Sequence, residues 1–401
     1  MAKNREFKIK ISAGVNKIIL RRATLEDKKE LIALYCSIYG NDYPLEIITD
    51  DLVLTRCITD DDYFWPVITC DGKIYGSVIF ECSTIHRLSK VFGAVIHPQW
   101  QGYDLMRKAI VAGLDYLADT GSPVDVVYAT TRTVSPAPEK LVRRIGFKTL
   151  GIFPNVRKVR AFETHGFNIY FRKGVLARRI IRPKLIPEVA AFFNIAKDIC
   201  EFSDMACIEP YELPAPEPFD LDFSIYDNRE QIVSRFNDLY EQGKLKFSFF
   251  PFHEPDILLK SKDGNTELFL YHNENDNYCA IIGLRTDRID ICGLLQQACI
   301  KAAALGLKYI ELLVSAMDTV KQKQAVDAHF VPSAYFPAAK LMADGKRMDY
   351  LCFSRSYETL DFTSIKLSGD GQRFLEAFTK CWYWHLLKDE PDYSAFCRNE
   401  D

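Results

Sequence analysis

Two periods of apolar residues alternate along the chain. Residues 18–22 read as a β-type segment, and Thr24 follows in helix N-cap position with Asp27 three residues on. Leu31, Leu34, Tyr35 and Ile38 then recur at helical spacing. Two apolar runs, 63–70 and 74–82, flank Asp71-Gly72-Lys73, and an Asp-Gly pair between strands predicts a hairpin. A third strand, 91–96, stops at His97-Pro98, because proline cannot donate to a ladder. Beyond the polar loop 99–103, Leu105, Met106, Ala109, Ile110, Gly113, Leu114 and Leu117 form the buried stripe of a helix that ends at Gly121-Ser122-Pro123. A β-branched strand (124–130), a short helix (139–145) closed by Gly146 and two strand-like segments (147–153, 162–171) complete a mixed α/β pattern.

Residues 175–218 read as a connector, with one amphipathic helix at 186–202 and prolines at 210, 214, 216 and 218. The second half repeats the plan weakly. Strands are expected at 221–226, 268–272, 278–285 and 309–314, and helices at 228–240 and 294–304. Phe147 and Phe330 stand 183 residues apart, and so do Phe153-Pro154 and Phe336-Pro337, which points to an internal duplication. The expected division is a first domain (1–174), a helical and proline-rich linker (175–218), a second domain (219–357) and a helical tail (358–401). In the tail, the aromatic run 374–387 reads as a helix packed on a domain or dimer face.

The composition is that of a globular protein: 48% hydrophobic and 26% charged over 401 residues. Fifty-one basic and 54 acidic residues give a net charge of −3, which excludes a dominant nucleic-acid surface. A local basic patch remains at Arg178, Arg179, Arg182 and Lys184. The twelve cysteines are scattered, without zinc spacing, so neither a metal site nor a disulfide framework is expected. Residues 1–10 are charged and no apolar run reaches membrane length, so the expectation is a cytoplasmic protein without a membrane span.

The stretch that carries chemistry runs Val95-Ile96-His97-Pro98-Gln99-Trp100-Gln101-Gly102-Tyr103-Asp104-Leu105-Met106-Arg107. A strand passes through a short glycine-bearing loop into a helix start, where free N–H groups and the positive end of the helix dipole favour a pyrophosphate. This stretch, together with the element order and the ending Ile145-Gly146-Phe147, resembles the acyl-CoA-binding signature of the GNAT family of N-acetyltransferases. The resemblance covers about residues 18–171 and implies two GNAT-type folds, each a mixed, mostly antiparallel sheet flanked by helices, with a degenerate second copy.

By that resemblance Gln101, Gly102, Tyr103, Asp104, Leu105, Met106 and Arg107 would line the pyrophosphate. Val95 and Ile96 would offer backbone groups to the pantetheine arm. The co-substrate would be acetyl-CoA or another acyl-CoA, and the acceptor a small-molecule or peptide amine. Counting from Pro98, the family's two glycines fall on Asp104 and Met106, and a rival register starts from Gln99 instead. Asp104 suits a helix N-cap, with its carboxylate on the amides of Met106 or Arg107. Val142 fills the position of the family's thiolate-protonating tyrosine, and Ser135 aligns with the family's asparagine, leaving it as the one catalytic candidate there. Candidate bases are Glu81, His86 and Asp60, Asp61 and Asp62, while His97 reads as structural.

In the second half the run 285–294 lacks a proline-led loop and leaves too little chain for both a strand and a phosphate loop. Two functions stay open: an acyl-CoA-dependent N-acyltransferase, or a non-catalytic module that senses CoA or docks a partner. A homodimer is compatible with either.

Overall fold

A computed structural model describes residues 7–13, 16–40, 46–119, 123–159, 161–211 and 223–387. Gly121-Ser122, the prolines at 214, 216 and 218, the start of the strand expected at 221–226 and the chain beyond 387 lie outside the described residues. The chain divides into two compact units. Unit 1 is Met1–Thr131, Ala137–Phe147 and Asn168–Val175, and unit 2 is Arg132–Pro136, Lys148–Phe167 and Leu176–Asp401.

Unit 1 opens with β1 (Lys8–Ala13), β2 (Asn16–Arg22) and α1 (Lys28–Tyr39), followed by α2 (Glu46–Thr49) and α3 (Asp51–Thr59). Then come β3 (Tyr63–Phe64), β4 (Pro66–Cys70), β5 (Lys73–Ser83), β6 (Leu88–Ile96), α4 (Leu105–Ala118), β7 (Val126–Arg132) and α5 (Ala137–Ile145). In the sheet β1, β2, β4, β5 and β6 pair antiparallel in that order, and β7 joins β6 in parallel. The hairpin turn forms as expected, with Asp71 (φ 48°) and Gly72 (φ 80°) both left-handed. At the start of α1, Asp27 accepts from the Thr24 N–H at 2.7 Å and binds Arg21 through both oxygens.

All seven residues of the predicted α4 stripe are buried, packing with Ile68, Val78 and Phe80 on one sheet face. The other face packs Leu31, Leu34, Tyr35 and Leu54 of α1 and α3 against Trp65, Ile79 and Val95. With both faces covered, β4 is buried at every position, which explains its unbroken apolar run. Three elements went unrecognised in the sequence. β1 alternates apolar and polar from Phe7 to Ser12 but adjoins the charged stretch 1–10, and α2 and α3 lie where no element is expected. Asp50 caps α3 by accepting from the Leu52 and Val53 amides, and Leu54, Cys57 and Ile58 bury its inner face.

Unit 2 contains β8 (Lys148–Lys158), part of β9 (Phe162–Phe171), β10 (Lys184–Leu185), α6 (Pro187–Cys200), β11 (Cys207–Ile208), β12 (Phe223–Tyr226) and α7 (Arg229–Glu241). It continues with β13 (Ile257–Ser261), β14 (Thr266–Asn273), β15 (Tyr278–Thr286), α8 (Cys292–Ala304), β16 (Tyr309–Ser315), α9 (Thr319–Asp327), β17 (Val331–Leu341), β18 (Arg347–Ser356) and α10 (Gly369–Leu387). The strand order is β12-β13-β14-β15-β16-β18-β17-β8, antiparallel except for β15 with β16. β7 and β16 begin 183 residues apart, and so do β8 and β17. Asn155 (φ 61°) and Ala338 (φ 52°) share one left-handed conformation at that same interval.

The helix expected at 186–202 forms as α6 and packs within unit 2. α6 is a core helix of unit 2: Val189, Ala190, Phe192, Phe193 and Ala196 are fully buried, and Phe192 meets Phe374 of α10 at 6.0 Å between ring centroids. Arg179, counted in the basic patch, is buried too. Its guanidinium binds Asp349 and Asp204 and lies 3.5 Å over the Phe202 ring. Among the described residues the second half holds β13, β17 and β18 besides the four strands expected there. With β13 before β14, β15 takes the place in element order that β6 has in unit 1, and only the connection from Thr286 to α8 is short.

Candidate functional site

The site is built where β6 and β7 part. Their parallel register holds for Leu88 with Val126, Ser89 with Val127 and Lys90 with Tyr128, and then ends. β6 continues to Ile96, so its last six residues have no strand partner on the β7 side. On the β5 side the register slips between Ser77–Val95 and Ile79–Phe92, a bulge at Gly93 and Ala94. Gly93 is left-handed at φ 60°, and an added Cβ would meet the Tyr35 hydroxyl at 2.9 Å. Tyr35 in α1 donates to the Gly93 carbonyl at 2.5 Å and lies 3.3 Å from Ser77 Oγ, which also accepts from the Trp65 indole at 2.5 Å. Burial pushes the Tyr35 hydroxyl up from its ordinary value. Ala94 is exposed at the bulge. An edge like this binds an extended, amide-bearing chain by strand addition.

The edge leads straight into the loop. His97 Nδ1 accepts from the Gln99 amide at 3.4 Å and caps a short turn, Pro98–Trp100, which is the structural role expected for it. The Trp100 ring is buried between Tyr75 and Tyr103, with centroids 5.6 and 5.7 Å away. Its indole N–H is buried with no hydrogen-bond partner among the described residues. Gln101, Gly102 (φ 85°), Tyr103 and Asp104 are exposed. The first bond of α4 runs from the Lys108 N–H to the Asp104 carbonyl at 3.1 Å, so the amides of Leu105, Met106 and Arg107 precede the helical ladder.

Two expectations change here. Asp104 is the N-cap residue, in the left-handed region (φ 60°, ψ 19°), but its carboxylate makes no cap bond. It turns instead to Arg107, whose Nε and Nη2 reach Oδ2 at 2.7 and 2.6 Å. Leu105 and Met106 point their side chains into the core beneath α4, and Val95 is buried on the opposite sheet face. These three can serve a ligand only through backbone. A bulky Met106 in place of a family glycine therefore does not obstruct the helix start. A groove of about 520 Å³ between β1 and α4 also reaches this turn, with Arg107 and Lys108 at one end.

Among the candidate bases, Glu81 stands out. It lies on β5 opposite Lys90 and accepts the Tyr63 hydroxyl at 2.8 Å. Burial raises its carboxyl above the ordinary carboxylate range, against the opposing pull of Lys90 and Tyr63. Asp60 faces Arg56 at 3.5 Å, and His86 sits in the turn between β5 and β6. Val142 is 5% exposed in the core under α4, so its position is filled by packing. Ser135 is half-buried in the 132–136 segment of unit 2. Gly93 and Tyr35 were not singled out in the sequence. A glycine inside an apolar strand is the one available signal of a bulge.

The counterpart in unit 2 is closed. β15 pairs in parallel with β16 from Tyr278 to Ile281 and then parts from it. Beyond that point Leu284 exchanges both backbone bonds with Lys246, at 2.7 and 2.8 Å. At the start of α8 the Asp290 carboxylate accepts from the Cys292 amide at 2.9 Å.

No known family profile matches the chain, and no curated protein does. Among solved structures it is similar to ribosomal-protein-S5-alanine acetyltransferase from Vibrio fischeri, at 15% identity and a TM-score of 0.36 over 42% of this chain and 97% of that one. It is also similar to spermidine N-acetyltransferase from Vibrio cholerae in complex with CoA and spermine, at 21% identity and a TM-score of 0.33 over 38% of this chain and 95% of that one. The element order, sheet topology and strand–loop–helix motif of unit 1 are those that the resemblance of its sequence to GNAT-type folds implies.

Proposed function

We propose that unit 1 binds an acyl-CoA, in the first instance acetyl-CoA, and transfers its acyl group to an amine. One observation carries this reading: the unpaired edge of β6 runs directly into the uncapped start of α4. The edge suits the amide-rich pantetheine arm, and the helix start suits the diphosphate. The residues present fit such a ligand. The Trp100 indole is a buried donor without an acceptor among the described residues, Gly102 leaves open space above the loop, and Met106 points away.

The thioester supplies an activated acyl carbon. An acceptor amine attacks it, the C–S bond breaks, and the sulfur leaves as thiolate. N–H groups at the Gly93–Ala94 bulge would hold the developing oxyanion. Glu81 would take the proton that the amine loses, relayed through water along the face it shares with Tyr63. The thiolate's proton would come from water, since Val142 offers none. The acceptor class is a small-molecule or peptide amine, and unit 2, its edge filled by Lys246, would support unit 1 without a second acyl-CoA. The cytoplasm is the compartment we assign. Among the described residues no helix is long and apolar enough to cross a membrane.

A second reading, a module that binds CoA without catalysis, is favoured by Val142 alone. Calorimetry with acetyl-CoA and free CoA tests the binding step in wild type and Gly102→Trp. Micromolar binding that the variant loses supports the site, and no binding at millimolar CoA overturns it. Acetyl-CoA consumption no faster with a pool of amines than in buffer, in a protein that binds CoA, would favour the second reading.

A further inference from the structure

We propose that Asp104 is a built-in competitor for the ligand's diphosphate, holding Arg107 until a phosphate takes its place. The inference rests on the acyl-CoA reading and adds how the site is gated and what sets its affinity.

Asp104 is a residue whose carboxylate is misplaced for every local task. The left-handed backbone there needs only a residue that tolerates positive φ, and asparagine or glycine would serve as well. As an N-cap it does not cap. Asp50, at the start of α3, accepts from two amides of its helix, whereas Asp104 leaves those of Leu105, Met106 and Arg107 unclaimed. Its charge therefore stands beside a helix start without neutralising the amides. It turns outward and takes Arg107, one turn into α4.

That arrangement is half of an anion site already assembled. Uncapped amides and a guanidinium fork both donate to a phosphate oxygen. Arg107 is preorganised by its own carboxylate, at a place where the ligand's charge would fall. Asp104 and Arg107 are 38% and 35% exposed, so either partner can be exchanged into water. Trp100, five residues before the helix, adds a buried donor that also lacks an acceptor in the same loop. Entry of the diphosphate then swaps one anion for another at Arg107, and the released Asp104 repels it at short range. Binding is weakened relative to a loop with a neutral residue at this position.

The test is calorimetry with free CoA and with 3′-phospho-ADP, which carries the diphosphate without the pantetheine arm. Asp104→Asn should bind both ligands tighter on the order of fivefold, the scale set by one exposed charge pair. Arg107→Ala should cost more affinity in the Asp104→Asn background than in wild type, because only there is the guanidinium free for phosphate from the start. Circular dichroism confirms that each variant keeps the fold. If wild type binds CoA and Asp104→Asn binds it equally or more weakly, the competitor role is overturned while the acyl-CoA site stands. If no species binds CoA at millimolar concentration, the acyl-CoA reading fails and this inference fails with it.

Discussion

Gly151 and Ala334, 183 residues apart in the chain, face each other across the antiparallel β8–β17 pair. The approach is too close for a second side chain. A Cβ on Gly151 would lie 2.1 Å from the Ala334 Cβ and 2.6 Å from its Cα. Gly151→Ala should therefore destabilise the protein by about 1–3 kcal/mol, as overpacking does. The exchanged double variant, Gly151→Ala with Ala334→Gly, should recover only part of the combined loss, because the methyl–methyl clash is gone while the residue-334 Cα and the Ser333 carbonyl still lie 2.6 and 2.9 Å from the new Cβ. Chemical unfolding of the four species closes the cycle. Additive losses would mean that the strands do not meet at this pair.

Tyr35 links the helix α1 to the bulge that opens the candidate site. Its hydroxyl is fully buried and donates to the Gly93 carbonyl at 2.5 Å. Tyr35→Phe keeps the ring and leaves a part-buried carbonyl without its donor, which costs about 1 kcal/mol. The bulge should loosen with it. Acyl-CoA affinity should then fall along with the melting temperature, a coupling that a Phe substitution at a purely structural tyrosine would not show.

Much of unit 1 was legible because its signals are local. The Asp71-Gly72 turn, the Pro98 stop and the α4 stripe each follow from a few adjacent residues, and each stands where expected. The loop chemistry was legible only in part. Glycines replaced by Asp104 and Met106 showed that the motif is altered, but which way each side chain turns is decided by tertiary packing. Met106 goes into the core and Asp104 to Arg107. At 187–200 the helix itself was legible and its packing was not. Prolines nearby argued for a linker, whereas Phe192 and Phe193 are core residues whose partners, Phe374 and Tyr335, lie far along the chain. The bulge at Gly93 depends on a register between two strands, which a periodicity of single residues does not encode.

One acyl-CoA per chain is the expected stoichiometry. In unit 1 the edge of β6 is unpaired after Lys90, but in unit 2 Lys246 already supplies both hydrogen bonds to Leu284 on the matching edge of β15. A ligand there would have to displace protein backbone that is fully bonded. Calorimetric titration of the full chain should give a single site, removed altogether by Gly102→Trp. A residual site in that variant would place a ligand in unit 2 and refute the closure.

Glu81 gives a pH signature that can be read without knowing the acceptor. Burial raises its carboxyl above the ordinary range, so the folded protein holds that proton more tightly than the unfolded chain does. Such a group contributes stability while protonated, at low pH, and that contribution is lost as pH rises through the raised value. Glu81→Gln keeps an acceptor for the Tyr63 hydroxyl and removes the titration. The variant should therefore be close to wild type in acid and should gain melting temperature relative to it as pH is raised toward about 8, since a buried charge is costly only once it forms. Activity should move the opposite way. In wild type, acyl transfer should rise with pH along a limb set by the raised carboxyl, and in Glu81→Gln that limb should vanish together with most of the rate, by about 100-fold or more for a lost general base. A variant stabilised at high pH but fully active would leave Glu81 a buried structural acid and move the search for the base to Asp60, Asp62 or His86.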